Sequence, residues 1–117
     1  MSFKTLKAYQ IGFDLAMEIF EISKSFPKEE KYSLTDQIRR SSRSVCANIS
    51  EAYRKRKYEK HFISKLTDSD AETQTWLEFA QKCEYINLDT KKRLIEKSQE
   101  VGKLINFMIQ NPGKFGV

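Results

Sequence analysis

The sequence predicts an all-α protein, an antiparallel up-down-up-down four-helix bundle, on three observations. Apolar residues recur at steps of three and four along almost the whole 117-residue chain, the spacing that keeps side chains on one helical face. Both prolines, Pro27 and Pro112, lie outside residues 28–111, and there are only four glycines, so the punctuation that strands and hairpins need is missing. The stretches between periodic segments are short, which sets successive helices side by side. The length suits one domain spanning residues 1–117: enough for a core, too little for two ordinary domains.

The first helix is expected over about 5–24, with Thr5 as N-cap and Pro27 in the loop beyond. It carries two apolar stripes, Leu6, Tyr9, Phe13, Ala16, Met17 and Phe20 on one side and Ala8, Ile11, Leu15, Ile19 and Ile22 on the other. Their centres lie more than a right angle apart, wider than one amphipathic face needs. We therefore expect the row Ile11, Leu15, Ile19 and Ile22 to form an interface between subunits, because exposed it would drive association. The second helix is expected over about 33–54 with Ser33 as N-cap and Asp36 in its first turn. Its seam is Leu34, Ile38, Ser42, Val45, Ile49, Ala52 and Tyr53, and Ser41, Ser42, Ser44 and Ala47 are small enough to let another helix approach closely. The third, about 58–84, follows Phe62, Leu66, Ser69, Thr73, Trp76, Leu77, Ala80 and Cys83 in steps of four and three. The fourth, about 89–111, is capped by Asn87 or Asp89 and must stop before Pro112, which disfavours helical geometry in the residue ahead of it.

Charge is unevenly placed. The chain carries a net +5, yet residues 34–66 hold 9 basic and 3 acidic groups while residues 67–88 hold 1 and 5. One face should be basic and another acidic. Arg39, Arg40 and Arg43, the run Arg54, Lys55, Arg56 and Lys57, and Lys60 are the candidate phosphate contacts, since such cations release condensed counterions and give salt-dependent, mainly sequence-independent affinity. Tyr53 and Tyr58 flank the densest run and could stack on an unpaired base. Asn48, Glu51 and Glu72 flank the apolar seams and are candidates for a buried polar cluster that fixes helix register.

Enzyme signatures are missing. There is no glycine-rich phosphate loop, dinucleotide fingerprint or nucleophile elbow. His61 is the only histidine, and no Glu-x-x-His element occurs, so no metal or other cofactor is expected. Asp68 and Asp70 on one helix would point in nearly opposite directions and so would not converge on a cation. Cys46 and Cys83 lie in helical patterns and read as packed thiols of a reducing compartment. Neither a signal peptide nor a membrane span is visible, and a cytoplasmic protein is expected.

The run QIRRSSRSVCANISE, residues 37–51, resembles the bacterial four-helix-bundle proteins known from intervening sequences in the large-subunit ribosomal RNA gene. The match extends from Phe3 and Leu6 through Phe26-Pro27, Glu30 and Tyr32 to Phe62, Leu66, Glu72-Thr73, Trp76-Leu77, Ala80 and Tyr85-Ile86. What the resemblance implies is a left-handed bundle that assembles into a ring, a homopentamer. The chain is also similar to the accessory protein of diversity-generating retroelements, which implies nucleic-acid binding beside a reverse transcriptase. Ala52 departs from the pattern, where many members have glycine, and favours a straight continuation of the helix toward Arg54. The expected function is a non-enzymatic, homo-oligomeric nucleic-acid-binding bundle for RNA or an RNA/DNA intermediate. The alternative is a structural or adaptor ring that binds a protein partner.

Overall fold

The computed structural model describes residues 2–67 and 72–116, and among them every regular element is helical. The α-helices are α1 (Lys7–Ser23), α2 (Leu34–Arg54), α3 (Glu59–Thr67), α4 (Glu72–Lys82) and α5 (Leu88–Gln110), with short 3-10 turns at Phe3–Thr5 before α1, Lys28–Glu30 between α1 and α2, and Pro112–Phe115 after α5. Every outer boundary of the four expected helices falls within two residues of its predicted place. α3 and α4 together account for the third of them; Asp68, Ser69 and Asp70 lie outside the described residues.

Capping follows local chemistry, with two corrections. Asn87 accepts from the Thr90 backbone N–H at 2.7 Å and starts α5, as expected. Thr5 instead belongs to the 3-10 turn Phe3–Thr5, and α1 starts after Leu6, which offers no side-chain cap. Ser33 makes no cap either: its hydroxyl donates to Glu30 Oε1 at 2.6 Å, and that carboxylate also accepts from the Leu34 N–H at 3.4 Å. An acid from the preceding turn thus does at the α2 N-terminus what a serine was expected to do. α2 runs on through the buried Ala52 to Arg54 without a break.

α1 packs against both α2 and α5, while α2 also packs against α3 and α4. Two apolar layers result. One gathers Leu6 and Ala8 from the start of α1, Ile49, Ala52 and Tyr53 from the end of α2, Phe62 and Leu66 from α3, and Val101, Ile105 and Met108 from α5. The other gathers Leu15 and Ile19, Phe26, Leu34 and Ile38, Leu77 and Ala80 from α4, and Leu94. Each fully buried leucine or isoleucine contributes roughly 1.5–3 kcal/mol, so the layers hold the fold together.

The row expected to be a subunit interface lies inside this core. Leu15 and Ile19 are 4% and 0% exposed, and Ile11 and Ile22 are half-buried, because α2 and α5 flank α1 on two sides. The apolar side chains of α1 left open are Phe13 and Met17, from the opposite stripe.

α4 ends in a turn with Glu84 in the left-handed region at φ 65°, where a residue other than glycine costs about 1 kcal/mol. The Tyr85 N–H then returns to the Ala80 carbonyl at 2.8 Å. That places the Tyr85 ring against Phe26, with centroids 5.4 Å apart, and its hydroxyl donates to Glu30 Oε2 at 2.8 Å. The link ties the turn before α2 to the turn before α5.

Candidate nucleic-acid interface

The eight candidate cations fall into two groups separated along α2. Arg39 and Arg54 are fifteen residues apart on one helix, which is about 22 Å at 1.5 Å per residue. They do not form a single patch.

Within the first group Arg39 is committed to the fold. Its Nε donates to Ser23 Oγ at 2.7 Å, its guanidinium reaches the Phe20 carbonyl at 3.5 Å, and its charge sits 4.8 Å from the Phe20 ring centroid. It thereby closes the C-terminal turn of α1, where a cation meets carbonyls left without helical partners. Arg43 lies 5.7 Å from the same ring and is otherwise exposed. Arg40 faces the other side of α2 and forms a loose, exposed pair with Asp36 at 3.6 Å, of the kind worth little.

The second group gathers at one end of the molecule. Arg54 and Lys55 both approach Glu51, at 3.9 and 3.1 Å. The hydrogen bond and charge of Lys55 hold the Glu51 carboxyl below its ordinary range. Arg56 is half-buried: it donates to the Tyr53 carbonyl at 2.9 Å, covers the Tyr53 ring at 4.2 Å and packs beside Gly116. Lys57 and Lys60 are exposed.

Three further lysines join this end through the fold. Lys4 lies on the Phe3–Thr5 turn that packs against α2, and Lys7 sits in a shallow groove with Leu6, Phe107 and Phe115. Lys114 lies 5.1 Å from the Phe107 ring centroid. The Pro112–Phe115 turn folds back onto the bundle, with Phe115 against Phe62 at 6.4 Å and Phe107 at 6.2 Å. Lys4, Lys7 and Lys114 are far from residues 54–60 in sequence, and no local pattern marks them; the packing of Phe3 and Phe115 on the same apolar layer does.

Accessible rings lie among these cations. Tyr58 is 66% exposed and stands edge-on to His61, with centroids 6.0 Å apart; Phe107 is also exposed. Tyr53 is not a stacking platform, because it is buried in the core beneath Arg56.

Of the residues expected to form a polar cluster, Glu51 and Glu72 have pairings of their own. Glu51 serves Lys55 and Arg54, Glu72 accepts from Trp76 Nε1 at 3.2 Å along its own helix, and Asn48 is half-buried on α2. The buried polar link between α2 and α4 is the 2.9 Å hydrogen bond between the Ser41 and Thr73 hydroxyls. Glu18 of α1 pairs with Arg93 and Lys97 of α5. Burial raises the Glu18 carboxyl, but the hydrogen bonds and charges of Lys97 and Arg93 outweigh it and leave the group below its ordinary range. Cys46 is buried and Cys83 exposed, and desolvation pushes the Cys46 thiol up to about 11.

Among the described residues no group of histidines, cysteines or acids could hold a metal ion, and no helix is long and apolar enough to cross a membrane.

No curated protein matches the chain. A solved structure from Bacteroides thetaiotaomicron VPI-5482, a protein with unknown function from the S23 ribosomal protein family, is similar at 30% identity and a TM-score of 0.78, over 88% of this chain and 95% of that one. The model of the 23S rRNA-intervening sequence protein family matches residues 4–107, which take in the second apolar layer, all of the first but Met108, and all but Lys114 of the cations at the basic end. The chain belongs to the 23S rRNA-intervening sequence protein family.

Proposed function

We propose that this protein is a non-enzymatic, homo-oligomeric bundle that binds RNA or an RNA/DNA intermediate through phosphate contacts. The observation that carries the reading is the basic end: Lys4, Lys7, Arg54, Lys55, Lys57, Lys60 and Lys114 come from six separate elements and turns, beside exposed Tyr58 and Phe107. Cations on a rigid support neutralise phosphates, and accessible rings favour unpaired bases over a duplex. Arg40 and Arg43 extend the positive surface along α2; Arg39 and Arg56 position it. The family's association with ribosomal RNA intervening sequences supports an RNA ligand.

The bundle is read as following an up-down-up-down path of left-handed sense, and two exposed patches support self-assembly. One is the groove of Tyr9, Phe13, Ala16 and Met17 with Arg43 at its edge. The other is Tyr32, Trp76 and Phe79 beside Glu30. Opposite rims on different faces suit a head-to-tail contact that closes into a ring, read here as a pentamer.

Binding to a single-stranded RNA should weaken linearly in log–log terms as salt rises, and Lys57→Glu with Lys60→Glu should lower affinity at least tenfold at about 100 mM salt across unrelated sequences. Arg40→Glu alone should change it by only a few-fold. Affinity unchanged by the double reversal would remove the basic end from the site. A partner that survives nuclease treatment of the lysate and is lost in the same double variant would establish the adaptor reading instead.

A further inference from the structure

Between the two apolar layers the bundle narrows to small residues. Gly12 of α1, Ser42 of α2, Thr73 of α4, and Ser98 and Gly102 of α5 stand where bundle helices ordinarily place leucine or isoleucine. They leave a partly enclosed cavity of about 150 Å³, reached from all four of these helices. Close packing is the rule in protein interiors, so a void of this size at the middle of a core needs an explanation.

The wall is chemically two-sided. Gly12, Leu15, Val45, Val101, Gly102 and Ile105 offer no side-chain hydrogen bond, so water filling the space would have few partners per molecule. Ser42, Thr73, Gln74 and Ser98 supply hydroxyls and an amide. Ser42 and Thr73 are each only 2% exposed, and Gln74 Nε2 donates to Ser98 Oγ at 3.1 Å, which pins α4 to α5 at the rim. The Ser42 hydroxyl donates to the Arg39 carbonyl at 3.1 Å and keeps its acceptor lone pairs. Among the described residues no charged side chain lines the space. A Cβ on Gly102 would meet nothing within 4 Å, whereas one on Gly12 would touch Cys46 Sγ at 3.4 Å. The opening is therefore at α5, and the floor is at the α1–α2 contact.

We propose that this waist is a binding site for a small uncharged amphipathic molecule, a single ring or short chain bearing one hydroxyl or amide. Size sets the upper limit: a cavity of about 150 Å³ in an apolar core accommodates benzene. Lining sets the class, because a charged ligand would be desolvated without a counter-ion among the described residues and a purely apolar one would leave the spare acceptor lone pairs of the hydrogen-bonded Ser42, Thr73 and Ser98 hydroxyls facing carbon. The site is independent of the basic end, which lies beyond the first apolar layer.

Phenol is the probe, with benzene and benzoate as its apolar and charged counterparts, followed by amide NMR on the full chain. Phenol should give saturable shifts at Gly12 and Gly102 while Gly113 stays fixed; benzene should bind several-fold more weakly and benzoate should give no saturable shift. Gly102→Leu fills the opening and favours the helix, so it should weaken phenol binding at least tenfold without lowering the melting temperature. Ser98→Leu narrows the same space from another position and is the second variant. No saturable shift with phenol would mean that the space holds only water and would overturn the proposal. So would shifts that survive both variants, or benzene binding as tightly as phenol.

Discussion

Arg39 carries its charge from α2 to the last turn of α1, and two of its five N–H donors are used there, on Ser23 and the Phe20 carbonyl. Arg40, one residue on, meets Asp36 at the surface. Neighbouring arginines that read alike in sequence thus differ in role, because only one of them lies over the end of another helix. Arg39→Ala should cost about 1–2 kcal/mol by loss of partly buried hydrogen bonds and a cation–ring contact. Arg40→Ala should stay within about 0.5 kcal/mol. Urea denaturation of the two variants checks this, and equal effects would refute it. The cations were legible as a class, but the division between structural Arg39 and Arg56 and exposed Lys57 and Lys60 was not. It depends on Phe20, Ser23 and Gly116, which arrive by tertiary packing.

Among elements, the link between Glu30 and Tyr85 has a defined pH signature. Hydrogen bonds from Ser33 and then Tyr85 hold the Glu30 carboxyl below its ordinary 4.5. A depressed carboxylate contributes stability above its unfolded pKa and loses it as pH falls through the folded one. The same bond pushes the Tyr85 hydroxyl up from 10 to about 12. That contribution is complete below pH 10 and disappears as pH rises toward about 12. Glu30→Gln should therefore flatten the stability profile in both windows, a result that urea midpoints at pH 3–6 and pH 9–11 would test. A profile parallel to the unmodified protein would discount the link. The ends of α5 were readable because Asn87 and Pro112 act on their own neighbours. The inside of α1 was misassigned because both of its stripes are strongly apolar. Only the flanking of α1 by α2 and α5 decides that Leu15 and Ile19 face inward and Phe13 and Met17 outward.

For the molecule as a whole, the basic end is a product of chain return. Residues 54–60 announce themselves as a run, but Lys4, Lys7 and Lys114 reach them because Phe3 and Phe115 dock on the first apolar layer. The family was legible in the run of residues 37–51, which the family model confirms over residues 4–107. The two layers also govern how the chain can be divided. Leu6 and Ile49 share the first layer with Phe62 and Met108, and Ile19 and Ile38 share the second with Leu77 and Leu94. A cut in the turn between Arg54 and Glu59 would leave two fragments, each holding part of both layers and neither holding a whole one. Alone, each should give the circular dichroism of a largely unfolded peptide, since isolated helices without a buried face are marginal. Mixed, they should recombine into a helical, cooperatively melting complex. If either fragment folded alone, the two layers would not be interdependent. The turn is thus a place where the polypeptide can be opened while its halves still recognise each other, which makes this bundle a split protein in waiting.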